Sequence, residues 1–112
     1  MSYHLSKGDI CYAAFPFEEN AGLTKRRTVL VWDVSADKKN VTASKITGIA
    51  RGWEWEVPLF PSSQNGLVKN CVIRVDQTRV LPISSFSPPI GSLSQYELNA
   101  AEDCLKKYLK LH

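Results

Sequence analysis

The chain has only two histidines, His4 and His112, each beside a chain end. Chain ends are the least ordered parts of a fold, so a histidine-based hydrolase or a two-histidine ribonuclease is not expected. Its three cysteines, Cys11, Cys71 and Cys104, are odd in number and widely spaced, with no CxxC pair. That pattern argues against a disulfide framework and a zinc site, and for the reduced thiols of a cytoplasmic protein. No HExxH, Walker loop, GxSxG or EF-hand pattern occurs, so zinc, nucleotide and serine-hydrolase chemistry have no motif to rest on. The acidic pairs Glu18–Glu19 and Glu54/Glu56 are sequence neighbours, which gives no particular support to a two-metal cluster. The expectation is no metal and no cofactor, with arginine, lysine, hydroxyls and backbone as the working groups. Long apolar runs are also missing. "ICYAAFPF" (10–17) falls far short of the ~20 residues of a spanning helix, and "MSYHLSKGD" (1–9) has no apolar leader core, so neither a membrane segment nor a secretory signal is expected. Repeats and linker-like stretches are absent, and 112 residues are read as one domain, 1–112.

What is present is the composition of a globular domain, 44% hydrophobic and 22% charged, with a net charge of +3 that permits an anionic partner without demanding one. "DICYAAF" (9–15) is rich in strand formers and ends at Pro16. "TVLVWDV" (28–34) is a near-continuous apolar run, as in a central strand buried on both faces. "NVTASKIT" (40–47) puts Val41, Ala43, Lys45 and Thr47 on one face. "WEWEV" (53–57) alternates, placing Trp53 and Trp55 on one face of a strand that Pro58 stops. Asn65-Gly66 marks a turn, and "CVIRVDQTRVL" (71–81) gives one bent strand or two short ones. The period then changes. Ser94 and Glu97 form a capping box, and Leu98, Ala101, Leu105 and Tyr108 recur at helical spacing, predicting a helix over roughly 94–110. Short strands followed by one terminal helix predict a mainly β, α+β fold: a small, strongly curved barrel closed by a helix.

"GLTKRRTVLVW" (22–32) sets Lys25, Arg26 and Arg27, at the end of a polar loop, directly against the apolar run. Residue chemistry leaves two readings. The cations are a solvated loop tip and Thr47 a generic strand residue, or Arg27 is a fork for phosphate held at a strand mouth, with the Thr47 hydroxyl beside it.

The ordered set of segments adds to this. "GDICYAAFPFEENAGLTKRRTVLVWD", "ASKITG", "NGLVKNCVIRVDQTRVL" and "IGSLSQYELNAAEDCLKKYL" together resemble the MazF/PemK toxin family over nearly the whole chain. The resemblance implies an SH3-like small β-barrel of the MazF/PemK/CcdB toxin superfold that forms a homodimer. It implies metal-independent cleavage of single-stranded RNA, including mRNA, through the 2′-hydroxyl, leaving a 2′,3′-cyclic phosphate or 3′-phosphate and a 5′-hydroxyl. A cognate antitoxin, expected to be acidic, would neutralise it. The family's catalytic arginine falls on Arg27 and its catalytic Thr/Ser on Thr47. One departure is Thr28, where the family usually has proline; it frees a backbone N–H and the φ angle at the strand entry. Lys25, Arg26, Lys45, Arg51, Lys69, Arg74 and Arg79 are candidate groove cations, with Phe17 and Glu19 the further candidates for substrate contact and Glu18 or Glu19 the candidate assistant in proton transfer. The alternative is a non-catalytic CcdB-like toxin that binds a protein target such as DNA gyrase.

Overall fold

A computed structural model describes residues 4–20 and 22–112. Six strands run β1 Asp9–Pro16, β2 Thr24–Val34, β3 Asn40–Thr47, β4 Glu56–Leu59, β5 Cys71–Pro82 and β6 Gly91–Ser92, and helix α1 spans Gln95–Leu111. They form one antiparallel sheet in the order β4-β5-β3-β2-β1-β6. The sheet curls into a half-barrel, with β4 and β6 as its two edges.

The continuous apolar run in β2 has a direct cause. Val29 and Val31 point to one face, with Cys11, Ala13, Phe15, Val41, Ala43, Leu81 and Phe86. Leu30 and Trp32 point to the other, with Ile10, Ile46, Val57, Ile73, Val75 and Ala101. A strand with a core on both sides has no polar face to show. Helix α1 covers the second cluster through Leu98, Leu105 and Tyr108. Its start is held as expected: Ser94 Oγ accepts the Glu97 N–H, and the Glu97 carboxylate accepts the Ser94 N–H.

β5 is one strand with a break in register. Asn40–Ser44 pair with Pro82–Thr78, whereas Lys45–Thr47 pair with Arg74–Val72, so residues 75–77 bulge from the ladder. A chain of hydrogen bonds fills the gap: Trp32 Nε1 donates to Ser44 Oγ, Ser44 bonds Thr78 Oγ1, and Thr78 donates to the Val75 carbonyl. The break sets Arg74 opposite Lys45. The Asn65-Gly66 turn is also present; at Gly66, φ is +70° and a Cβ would lie 2.3 Å from the Ile90 oxygen, so only glycine fits.

Two expectations need correction. Lys25, Arg26 and Arg27 are not in a loop, because β2 begins at Thr24 and pairs through Pro16↔Thr24 to Ala13↔Arg27. The strand near the tryptophans is Glu56–Leu59, with Pro58 inside it; an edge strand tolerates a residue without an N–H. Residues 53–55 lie before that strand, so Trp53 and Trp55 do not share a strand face. Trp55 packs edge-on against Tyr108 of α1 at 5.2 Å, and Trp53 lies over Arg74.

Candidate active site

β2 and β3 pair as Val29↔Lys45 and Thr28↔Ile46. Continued by one residue, that register sets Arg27 across from Thr47, although 19 residues separate them in the chain. Side chains alternate along a strand, so Arg27 shares its face with Val29, and Thr47 shares the same face with Lys45. Both border a cleft of about 230 Å³ whose walls are Phe17, Glu18, Glu19, Arg27, Lys45, Thr47, Ile49, Arg51 and Arg74. Two larger grooves, of about 660 and 600 Å³, lie between β4 and α1 and contain none of the sequence-predicted site residues.

Arg27 is half-buried, with its guanidinium 5.7 Å from the centre of the Phe17 ring. Among the described residues no carboxylate lies within ion-pair range of it. Thr47 Oγ1 accepts the Ile49 N–H at 3.2 Å, which leaves its own proton for a group in the cleft. A fork of donors and a hydroxyl therefore converge on one space.

The part of the cleft around Arg74 is held by pairing. Arg74 is 3% exposed. Its Nε and NH2 donate to the two Asp76 oxygens at 3.0 and 2.8 Å, and NH1 donates to Glu18 Oε1 at 3.0 Å. Lys45 Nζ lies 3.3 Å from that same oxygen. Burial pushes the Glu18 carboxyl up, but Arg74 and Lys45 together outweigh it and hold it below the usual range. The Asp76 bond, opposed by burial, raises Arg74 further, so its charge is permanent. The Trp53 ring lies 4.6 Å from the Arg74 guanidinium and 5.2 Å from that of Arg51. Glu56, paired with Arg74 across the strands, accepts the backbone N–H groups of Arg51, Gly52 and Trp53. One carboxylate thus pins the segment that carries Arg51 and Trp53.

Of the residues expected at the site, Arg27, Thr47, Phe17, Glu19 and Lys45 line the cleft. Arg26 does not: it falls on the other face of β2, with its guanidinium 4.7 Å over the Tyr12 ring. Lys25 is exposed outside the lining. Arg79 turns back to the Thr78 carbonyl and Gln77 Oε1 at 3.0 and 3.2 Å. Glu56 and Asp76 support the site and escaped the sequence reading. A signal for Asp76 was present, since Arg74 sits between Ile73 and Val75 in an apolar strand and a buried arginine needs a counter-charge close by. Among the described residues no group of three or more His, Cys, Asp and Glu side chains is placed to hold a metal ion.

The cysteines are free thiols. Burial, helped by Asp9, pushes Cys11 up to about 12.

Residues 6–109 match the family model described as PemK-like, MazF-like toxin of type II toxin-antitoxin system. Among solved structures, the chain is similar to Mycobacterium tuberculosis toxin MazF-mt6, at 25% identity and TM-score 0.70, over 91% of this chain and 98% of that one. It also superposes on MazF from Deinococcus radiodurans, at 22% identity and TM-score 0.78, over 97% and 99% of the two chains. A third likeness is to MazE-MazF from the same organism, at 21% identity and TM-score 0.75, over 99% and 100%. No curated protein matches this chain.

Proposed function

Since this chain belongs to the PemK-like, MazF-like toxins of type II toxin–antitoxin systems, we propose that it is an endoribonuclease that cuts single-stranded RNA through the 2′-hydroxyl without a metal. The observation that carries this reading is the meeting of Arg27 and Thr47 across β2 and β3, in a cleft where four cations face two carboxylates. A charge balance of that sign draws in a polyanion.

The chemistry follows from where charge develops. The 2′-oxygen attacks phosphorus, the bond from phosphorus to the 5′-oxygen breaks, and negative charge builds on the phosphoryl oxygens. The Arg27 fork neutralises that charge, and the Thr47 hydroxyl donates to it from a position fixed by the Ile49 N–H. Glu19 lines the cleft, and among the described residues no cation stands in ion-pair range of it; it accepts the 2′ proton. Glu18 is unsuited to that task, because Arg74 and Lys45 keep it ionised and occupied. The leaving 5′-oxygen takes a proton from water, Glu19 returns the 2′ proton to the hydroxide so formed, and the 3′ end closes as a cyclic phosphate. DNA lacks the attacking hydroxyl and stays intact.

Two partners accompany this reading. The chain forms a symmetric dimer, and an acidic antitoxin segment binds near the positive cleft. The related Deinococcus radiodurans structure named above is of a MazE-MazF pair. To test the activity, purified protein is incubated with a long RNA in EDTA and the cut ends are mapped. Cuts at defined positions with 5′-hydroxyl ends are expected. Activity that appears only on adding magnesium or manganese would overturn the proposed mechanism.

A further inference from the structure

Lys45 and Arg74 sit directly opposite each other on β3 and β5. A single carboxylate oxygen, Glu18 Oε1, lies 3.3 Å from Lys45 Nζ and 3.0 Å from Arg74 NH1. The two cations are fixed. Arg74 is buried and bidentate to Asp76, and the Lys45 side chain is 13% exposed. The anion faces solvent: the Glu18 side chain is 37% exposed and comes from the segment between β1 and β2. Two cations converging on one oxygen is the arrangement that a phosphate oxygen takes up equally well.

The geometry points to a second phosphate subsite, formed by Lys45 and Arg74 beside the Arg27–Thr47 pair and filled in the free protein by the chain's own Glu18. This inference rests on the reading of the cleft as an RNA site and deepens it. A strand entering the cleft places its scissile phosphate on Arg27 and Thr47. A neighbouring phosphodiester takes the Lys45–Arg74 position and displaces the Glu18 carboxylate. The exchange swaps one negative charge for another, so the cations are never left bare. The ligand class is a chain with at least two adjacent phosphodiesters; a lone anion gains too little to expel Glu18.

The test measures binding of a mixed-sequence 2′-O-methyl RNA oligonucleotide, which cannot be cleaved, by fluorescence anisotropy over a range of salt. Glu18→Gln keeps the shape and removes the competing charge. It is expected to tighten binding by about fivefold, the scale of one partly exposed ion pair, and to steepen the log–log salt slope by about 0.7, the share of one single-strand phosphate. Lys45→Ala should then cost more affinity in the Glu18→Gln background than alone, because in the parent Lys45 is already occupied. Glu18→Asp, one methylene shorter, should shift affinity the same way by less, and it serves if the glutamine variant does not fold. Unchanged or weaker binding by a variant with the parent's circular dichroism spectrum overturns the subsite, and makes Glu18 an anchor of its loop. Tighter binding with no RNA cut by either protein sinks the nuclease reading and leaves the subsite standing.

Discussion

Arg27 and Arg74 both line one cleft, the first half-buried beside Phe17 with no carboxylate in range among the described residues, the second 3% exposed and clasped by Asp76 and Glu18. The two guanidiniums carry the same charge but are held in different ways. A buried arginine is tolerable only when its donors are used, and Arg74 spends three of them on carboxylates. That pairing makes it a fixed post for the wall that carries Lys45, Trp53 and Arg51. Arg27 stands at the rim, where water offsets the charge until a substrate arrives, so its fork is available. The paired arginine holds the cleft in shape, and the unpaired one leaves its donors open to the cleft.

The sharpest way to break this contrast is to remove the buried partner. Arg74→Met leaves Asp76 and Glu18 without their shared cation, and should cost on the order of 3 kcal/mol in urea unfolding. A loss below about 0.5 kcal/mol would mean that the pair carries no structural weight. Arg27→Ala should do the reverse. Stability should stay within about 0.5 kcal/mol of the parent, while RNA cleavage falls by roughly 10²–10³. Arg27→Lys keeps the charge without the fork, and should restore binding more than rate. Full-rate cleavage by Arg27→Ala with an intact circular dichroism spectrum would remove it from the chemistry.

Thr47→Val preserves shape and deletes only the hydroxyl. Its cleavage rate should drop by about 10- to 100-fold, the value of one hydrogen bond to a charged group, with RNA affinity nearly unchanged. Arg26→Ala tests whether strand alternation separates neighbours. With its guanidinium over Tyr12, Arg26 should contribute at most a small, salt-sensitive share of RNA affinity and nothing to the rate at saturation. The smallest effect concerns acid. The Glu18 carboxyl sits below its ordinary range when folded, so its contribution to stability is complete above the unfolded carboxyl value of about 4.3. It is lost as pH falls through the folded value. Glu18→Gln should therefore lower stability slightly at neutrality, by at most about 0.5 kcal/mol, and the gap to the parent should close as pH falls from about 4.3 through the folded value.

Much of the fold was legible in the chain because its signals are local. The capping box at Ser94–Glu97, the apolar run at 28–34 and the alternation at 40–47 depend on neighbours a few residues away; α1 and β3 stand where those signals put them, and β2 contains its run. The segment 53–57 misled for the same reason. Alternation there is real, but the Glu56 carboxylate turns back to take three backbone N–H groups, so the first half of the segment is a pinned turn. Lys25, Arg26 and Arg27 resembled a loop because their charge outweighed every local strand cue, and only pairing with β1 draws them into β2.

Local spacing determined the terminal helix, the core of β1, β2, β3 and β5, the two-sided burial of β2 and the scarcity of histidine, because those follow from residue type and period alone. Tertiary structure decided which cations face one another. The register of β2 on β3 sets Arg27 across from Thr47, and the slip in β5 brings Arg74 level with Lys45. Alternation turns Arg26 away to Tyr12, and Glu18 reaches 56 residues along the chain to Arg74. Register and bulges depend on how whole strands pack over two cores, and a shift of one residue would move every one of these side chains to the other face.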